Sequence, residues 1–151
     1  MSLEEAIFRM IQFATIDWVA VIAAAIAAFA AGMVWYSPAM FGKKWMKMNG
    51  VTEKEAAKYK EKNKDQMMGM MITTVVVSAI TAFVLANLLV LLNITTLFSA
   101  VQLAFWLWIG FQATSAYLLV LYEKKSMDWW IISAGYNLVG LLVSAIVLML
   151  M

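Results

Sequence analysis

Cysteine and histidine are both absent from this sequence, and Pro38 is its only proline. Without cysteine there are no disulfides, no thiolate nucleophile and no cysteine-based redox chemistry. Because histidine is missing as well, the usual zinc sites cannot form. No Ser-x-x-Lys or Gly-x-Ser-x-Gly pattern indicates a serine nucleophile. We therefore expect no metal, no cofactor and a non-enzymatic role.

Charged residues are also scarce and unevenly placed. Asp, Glu, Lys and Arg make up 13% of the 151 residues, whereas a typical soluble domain has about 25%. Three long windows contain no charge: 18–42, 66–122 and 129–151. A membrane core about 30 Å thick is crossed by roughly 20 helical residues, so the outer windows fit one span each and the middle window fits two. The runs are too long and too uniformly apolar for the alternating strands of a membrane β-barrel.

The predicted fold is therefore all-α, a polytopic membrane protein that forms a single domain over residues 1–151. Its four transmembrane helices are expected at about 17–36, 67–92, 97–122 and 129–151. The segment from Met1 to Ile16 has apolar residues at helical spacing, which favours either a short interfacial helix or an extension of the first span. Pro38 predicts the end of the first span, since proline disfavours helical geometry in the residue before it.

A polar helix is expected between the first two spans. Thr52 and Glu55 match a capping box, in which each side chain accepts a hydrogen bond from the other's backbone N–H. The helix that follows is polar on nearly every face, so we expect it to project into water. Its proximity to the second span also allows a direct continuation into that span. Acidic residues are interleaved with its lysines, which argues against a nucleic-acid partner and favours weak attraction to membrane lipids.

The lysines predict an orientation in the membrane. All of them lie in the connections between spans one and two and between spans three and four. Four spans place these two connections on one side and both termini on the other. Because short loops rich in Lys and Arg stay cytoplasmic, we expect a multi-pass cell-membrane protein with cytoplasmic lysine-rich loops and both termini outside.

Small residues mark possible helix contacts. Ala20, Ala24, Ala28 and Gly32 recur every four residues in the first span, and Gly140 lies on a small, polar face of the fourth. Small side chains let two backbones approach closely, and packing of this kind drives helix association in lipid. We predict helix packing at Ala24, Ala28, Gly32 and Gly140, and a homo-oligomer formed through such faces.

Several polar side chains are predicted to lie inside the membrane. Gln112 in span three and Asn137 in span four are the deepest amides, and Tyr136 adjoins the second of them. Amides at this depth usually form hydrogen bonds between helices, worth about 0.6–2 kcal/mol. The alternative is contact with a ligand or an ion. Two mildly polar stripes run along spans two and four: Thr74, Ser78 and Thr81, and Ser133, Asn137, Gly140 and Ser144.

A second candidate site lies at the lysine-rich face. Tyr36 and Trp45 are aromatic residues suited to the headgroup layer, and Lys43 lies between them. Glu123, at the end of span three, is expected on the same face, where it could pair with Lys43 or Lys44. These residues predict a ligand or headgroup site formed by Tyr36, Lys43, Trp45 and Glu123.

Two groups of residues resemble a known family. The first is Gly32-x-x-Trp35-Tyr36-Ser37-Pro38-x-x-Phe41-Gly42-Lys43-x-Trp45, and the second comprises Gly110-Phe111-x-Ala113-Thr114, Glu123 and Gly135-Tyr136-x-Leu138-Val139. Together they resemble the small prokaryotic membrane proteins grouped as domain of unknown function 1761, over about residues 17 to 150. The resemblance implies a four-helix membrane protein and brings no activity, substrate or catalytic residue.

The sequence leaves three functional hypotheses. The first is a non-enzymatic bundle that binds lipid or a small apolar or zwitterionic ligand. The second is a small oligomeric channel or transporter for a neutral or hydrophobic solute, lined by the two polar stripes. A charged solute is disfavoured because no ionisable residue lies within a span away from its ends. The third is an enzyme acting on a lipid.

Overall fold

Four long helices dominate the computed structural model, which describes Glu5 and residues 16–151. Each is long and apolar enough to cross a membrane. The helices are α1 (Trp18–Trp35), α2 (Gly42–Met48), α3 (Glu53–Lys62), α4 (Lys64–Leu91), α5 (Leu97–Leu107), α6 (Thr114–Tyr122) and α7 (Met127–Leu150), with a π-helical segment (Trp108–Ala113) joining α5 to α6. The predicted all-α, four-span architecture is confirmed. The segment for which an N-terminal interfacial helix was predicted lies, apart from Glu5 and Ile16, outside the described residues.

Side-chain caps fix where the long helices begin. The Asp17 carboxylate accepts hydrogen bonds from the backbone N–H of Val19 at 2.8 Å and of Ala20 at 3.2 Å, which starts α1. Thr96 and Ser126 cap α5 and α7 in the same way. Each cap satisfies N–H groups that have no partner within the helix, and such groups are costly at the edge of a membrane. Side-chain caps therefore fix where three of the four spans begin.

The predicted capping box at Thr52 and Glu55 is confirmed. The Thr52 hydroxyl accepts from Glu55 N at 3.2 Å, and the Glu55 carboxylate accepts from Thr52 N at 2.9 Å. Hydrogen bonds from the Thr52 side chain and backbone lower the pKa of the Glu55 carboxyl. The polar helix α3 does not run straight into the second span. Asn63 interrupts it, and its side-chain amide donates to Tyr59 O at 3.0 Å.

The core is built mostly from small residues, and α7 lies at its centre. α7 contacts all three other spans. Alanines with no exposed surface lie where the backbones approach most closely: Ala24, Ala82, Ala100, Ala104 and Ala145. Because lipid chains are as apolar as leucine, this close backbone packing rather than the hydrophobic effect holds such helices together.

The bundle is packed tightly at one end and loosely at the other. Every buried residue of α4 lies in its second half, from Ala82 onward. The first half of α4, from Lys64 to about Thr81, contributes no buried residue and leaves space beside α1, α7 and the π-helical segment. We call this end the lysine side, because the lysine-rich connections lie there, and the opposite end the Asp17 side.

Candidate functional site

The turn after α1 is compact and depends on a glycine. The backbone N–H of Phe41 donates to Trp35 O at 3.1 Å, and that of Gly42 donates to Ser37 O at 3.0 Å. A Cβ added to Gly42 would collide with the Tyr36 carbonyl oxygen and would lie 2.8 Å from Ser37 O. Both obstacles are backbone atoms that cannot rotate away. Gly42 therefore allows the chain to fold back from α1 into α2.

This turn is fastened to α7 by Trp35. The indole Nε1 of Trp35 donates a hydrogen bond to Ile132 O at 3.0 Å. A Cβ on Gly135, one turn further along α7, would lie 3.1 Å from the Trp35 ring. The Trp35 ring therefore packs directly against the backbone of α7 at Gly135. A side-chain donor paired with a backbone carbonyl of another span holds the two helices in one register.

A second contact of the same kind joins Gly32 to Tyr136. A Cβ on Gly32 would lie 2.7 Å from the Tyr136 hydroxyl oxygen, so the phenol ring occupies the space that the glycine leaves. Tyr136 then meets the Tyr36 ring edge-on at 5.3 Å, and Tyr36 meets the Trp45 ring at 5.9 Å. Edge-to-face geometry of this kind is favourable for aromatic pairs. Three rings, from the C-cap of α1, from α2 and from α7, thus form one wall.

That wall borders a cavity of about 540 Å³, which we call the aromatic chamber. It lies at the lysine side, between α1, α2, α4 and α7. Its lining comprises Phe29, Gly32, Met33, Tyr36, Gly42, Trp45, Met46, Met70, Thr74 and Tyr136. The volume falls in the range of about 300–1,000 Å³ that is usual for small-molecule pockets. Aromatic rings and flexible methionine side chains make it suited to an apolar occupant.

A second cavity, of about 240 Å³, lies deeper in the bundle; we call it the polar groove. It is bordered by both polar stripes and by the π-helical segment. Its lining comprises Ala28, Thr73, Thr74, Val77, Ser78, Thr81, Gln112, Tyr136, Asn137, Gly140, Leu141 and Ser144. Thr74 and Tyr136 line both cavities. The chamber and the groove are therefore neighbouring compartments that meet at these two side chains.

The polar groove is closed toward the Asp17 side. A third cavity lies at that end, and its lining includes Asp17, Asn93 and Met149. On each of the three helices that border both cavities, buried residues lie between them. We call these residues the sealing layer: Val21, Ala24, Ala82, Leu85 and Ala145, each at most 2% exposed. The groove and this third cavity share no lining residue, so the groove does not continue to the Asp17 side in this structure.

The π-helical segment places Gln112 at the groove. A π-helix inserts extra backbone relative to an α-helix and so changes which residues face the neighbouring helices. Two tryptophans hold the segment against α7. Trp108 Nε1 donates to Ala134 O at 2.7 Å, and Trp130 Nε1 donates to Ala113 O at 2.9 Å. Span three is thereby fixed to α7 at both ends of the segment.

The polar side chains at the groove differ in their hydrogen bonding. The hydroxyls of Thr74 and Thr81 donate to carbonyls of their own helix, at 2.8 Å and 3.1 Å. The Gln112 Oε1 atom is buried and has no hydrogen-bond partner among the described residues. The Asn137 side chain likewise makes no hydrogen bond within the described part of the chain. The two amides face the groove without partners.

The two groups of residues that resemble a known family meet at this site. The family described as protein of unknown function DUF1761 matches residues 19–149, which is most of the chain. This protein belongs to the DUF1761 family. No curated protein and no solved structure matches the chain.

The two groups of residues that resemble the DUF1761 family lie in contact with each other. Gly32 and Trp35 of the first group contact Tyr136 and Gly135 of the second. In this family member the signature residues therefore shape the chamber and attach α1 to α7.

The charged residues at the lysine side pair differently from the sequence-based expectation. Lys43 Nζ lies 3.3 Å from a Glu53 carboxylate oxygen, and Lys44 Nζ lies 3.0 Å from Asp128 Oδ2. Glu123 belongs to neither pair and is exposed. The Lys44–Asp128 pair does join the first and third connections, a role expected of Glu123. Both pairs are exposed, so each contributes little to stability, about 0–1 kcal/mol.

The structure divides the predicted site residues into two groups. Tyr36 and Trp45 line the chamber, whereas Lys43 and Glu123 line neither the chamber nor the groove. Gln112, Tyr136 and Asn137 come together at the groove. Ala24, Ala28 and Gly32 are buried on α1. Gly140 lines the groove, and no atom lies within 4 Å of an added Cβ, so it is not a point of close helix contact.

Some lining residues had no signal of their own in the sequence. Phe29, Met46 and Met70 resemble the many other apolar residues of the spans and were not singled out. Phe29 lies three residues before Gly32 on α1, and Met70 lies four residues before Thr74 on α4. Helical spacing from predicted site residues would have found these two. The position of Met46 depends on the turn at Gly42, which spacing alone does not give.

Proposed function

We propose that this protein is a non-enzymatic membrane protein that binds a mainly apolar ligand, a lipid chain or a small hydrophobic molecule, in the aromatic chamber. In this proposal the lysine side faces the cytoplasm and the ligand enters from that side or from the adjoining lipid. The observation that carries the proposal is the chamber itself: about 540 Å³, lined by aromatic and methionine side chains and by no charged residue among those described.

The sealing layer supports binding over passage. A channel or transporter for a neutral solute is the second candidate, because both polar stripes line the groove. Transport requires a route through the bundle, and this conformation has tightly packed alanines and leucine between the groove and the Asp17 side. A binding site needs only one entrance, which the loosely packed half of α4 provides.

Filling the junction of chamber and groove should abolish ligand retention. Thr74 lines both cavities and is exposed at the surface of α4, so a tryptophan there has room to fold against the chamber without disturbing the core. We expect Thr74→Trp to lose a co-purifying apolar ligand, measured as adduct mass by native mass spectrometry in mild detergent. The matched control is Ile72→Trp, an exposed position two residues away that lines neither cavity.

Ile72→Trp should retain the adduct at the wild-type level. If the wild-type protein carries no adduct when extracted from membranes and when incubated with lipid, the proposed function is wrong. Equal retention by both tryptophan variants would place the ligand outside the chamber.

A further inference from the structure

The polar groove has a chemical character of its own, distinct from that of the aromatic chamber. Its threonine hydroxyls are satisfied within their own helices. The amides of Gln112 and Asn137 are not, within the described part of the chain. A primary amide offers both an acceptor oxygen and two N–H donors. The Gln112 Oε1 atom is buried without a partner among the described residues, which is costly in an apolar environment, so its position beside a cavity indicates an occupant that bonds to it.

Charge restricts what that occupant can be. No Asp, Glu, Lys or Arg is among the described residues that line the groove or the chamber. An ionised group moved from water into this space would lose its hydration and gain no counter-charge, which strongly disfavours it. Lys43 and Lys44 of α2 are exposed at the lysine side, where they pair with Glu53 and Asp128, and neither lysine lines the groove or the chamber. The occupant must therefore be uncharged.

We infer that the groove binds the uncharged hydroxyl group of a neutral amphiphile, whose apolar body occupies the aromatic chamber. A hydroxyl both donates and accepts, so it matches the acceptor oxygen of Gln112 and the amide of Asn137 together. Thr74 and Tyr136, which border both compartments, lie where the two parts of such a molecule would join. This inference rests on the proposed function and adds the chemical class of the ligand: a long-chain alcohol or a similar hydroxylated lipid, as opposed to an alkane or an ionised lipid.

The test uses a set of photoreactive probes that differ only at one end. The protein in lipid nanodiscs is irradiated with a diazirine-bearing long-chain alcohol, its methyl ether, the alkane and the carboxylate, and labelled peptides are measured by mass spectrometry. One hydrogen bond to a buried amide should favour the alcohol over the alkane by about three- to tenfold. The ether accepts but does not donate, so it should label less than the alcohol. The carboxylate should label least.

Two variants test whether Gln112 and Asn137 cause the preference for the alcohol over the alkane. Gln112→Leu keeps the approximate size of the side chain and removes its polar atoms, so it should reduce alcohol labelling to the alkane level while leaving alkane labelling unchanged. Asn137→Leu is a second, independent variant with the same expected result. The control is Ser115→Ala on the same span, because the Ser115 hydroxyl is exposed and bonds to Phe111 O of its own helix.

The labelling results distinguish failure of the inference from failure of the proposed function. Equal labelling by alcohol and alkane, or alcohol selectivity that survives both Gln112→Leu and Asn137→Leu, overturns the inference and leaves the proposed apolar site intact. Labelling of the chamber by none of the probes overturns the proposed function itself.

Discussion

Replacing Gly42 with alanine should destabilise the protein by about 2–3 kcal/mol, the upper part of the range for forcing extra atoms into a packed site. The added Cβ would collide with the Tyr36 carbonyl oxygen and would lie 2.8 Å from Ser37 O. Relief requires movement of the turn that places Tyr36 and Trp45 in the chamber wall. We therefore expect Gly42→Ala to lose ligand retention together with stability.

Gly69→Ala is the matched control for this prediction. Gly69 lies in α4, and no atom lies within 4 Å of an added Cβ. Alanine should stabilise either helical position slightly through its higher helix propensity, by at most about 1 kcal/mol. Unfolding of both variants by denaturing detergent, followed by circular dichroism, therefore isolates the steric effect at Gly42. A Gly42→Ala variant as stable as Gly69→Ala would show that the turn is not tightly packed.

Replacing Trp35 with alanine should be the most damaging side-chain truncation at the signature turn. The change removes the hydrogen bond to Ile132 O and the packing against Gly135 and against the Phe41 ring, 4.6 Å away. Tryptophan-to-alanine changes in water-soluble cores cost about 3–5 kcal/mol. In lipid the hydrophobic share is smaller, because acyl chains are as apolar as a protein core, so we expect about 2–3 kcal/mol.

Two further variants separate the contributions. Trp35→Phe keeps most of the ring packing and removes the donor, so it should cost about 0.6–2 kcal/mol, the range for a hydrogen bond between membrane helices. Trp106→Ala removes an indole that is 61% exposed on span three, and it should change stability by less than about 0.5 kcal/mol. The same unfolding assay measures all three. If Trp106→Ala lowers the free energy of unfolding as much as Trp35→Ala does, the contact of Trp35 with α7 stabilises the protein no more than an exposed tryptophan does.

Much of the fold could be predicted because membrane helices are specified by simple local properties. Charge-free windows defined the four spans to within about three residues, since only an uncharged helix of that length is stable across a bilayer. Asp17 and Thr52 could be placed as helix starts because caps depend on a few neighbouring residues, whereas the cap at Ser126 was found only in the structure. The signature group around Trp35 was recognisable, although its contacts with Gly135 and Tyr136 depend on how α1 and α7 cross.

Other features depend on three-dimensional packing and could not be predicted. The π-helical segment has no sequence signal that distinguishes it from an α-helix, yet it determines where Gln112 faces. The pairing of Lys44 with Asp128 rather than Glu123 follows from the orientation of the first turn of α7, which charge distribution alone does not give. The separation of the groove from the cavity at the Asp17 side depends on how α1, α4 and α7 pack, which the sequence alone does not give.

The central claim is that the signature turn forms a cavity that holds an apolar ligand. The absence of cysteine allows a direct test, because a single introduced thiol is unique. Met46 lines the chamber, whereas Asn93 lines the separate cavity at the Asp17 side. The measurement is the rate at which N-ethylmaleimide alkylates Met46→Cys and Asn93→Cys in nanodiscs, with and without a long-chain alcohol. We predict severalfold protection of Met46→Cys and an unchanged rate for Asn93→Cys. Unchanged alkylation of Met46→Cys at saturating alcohol would contradict the account.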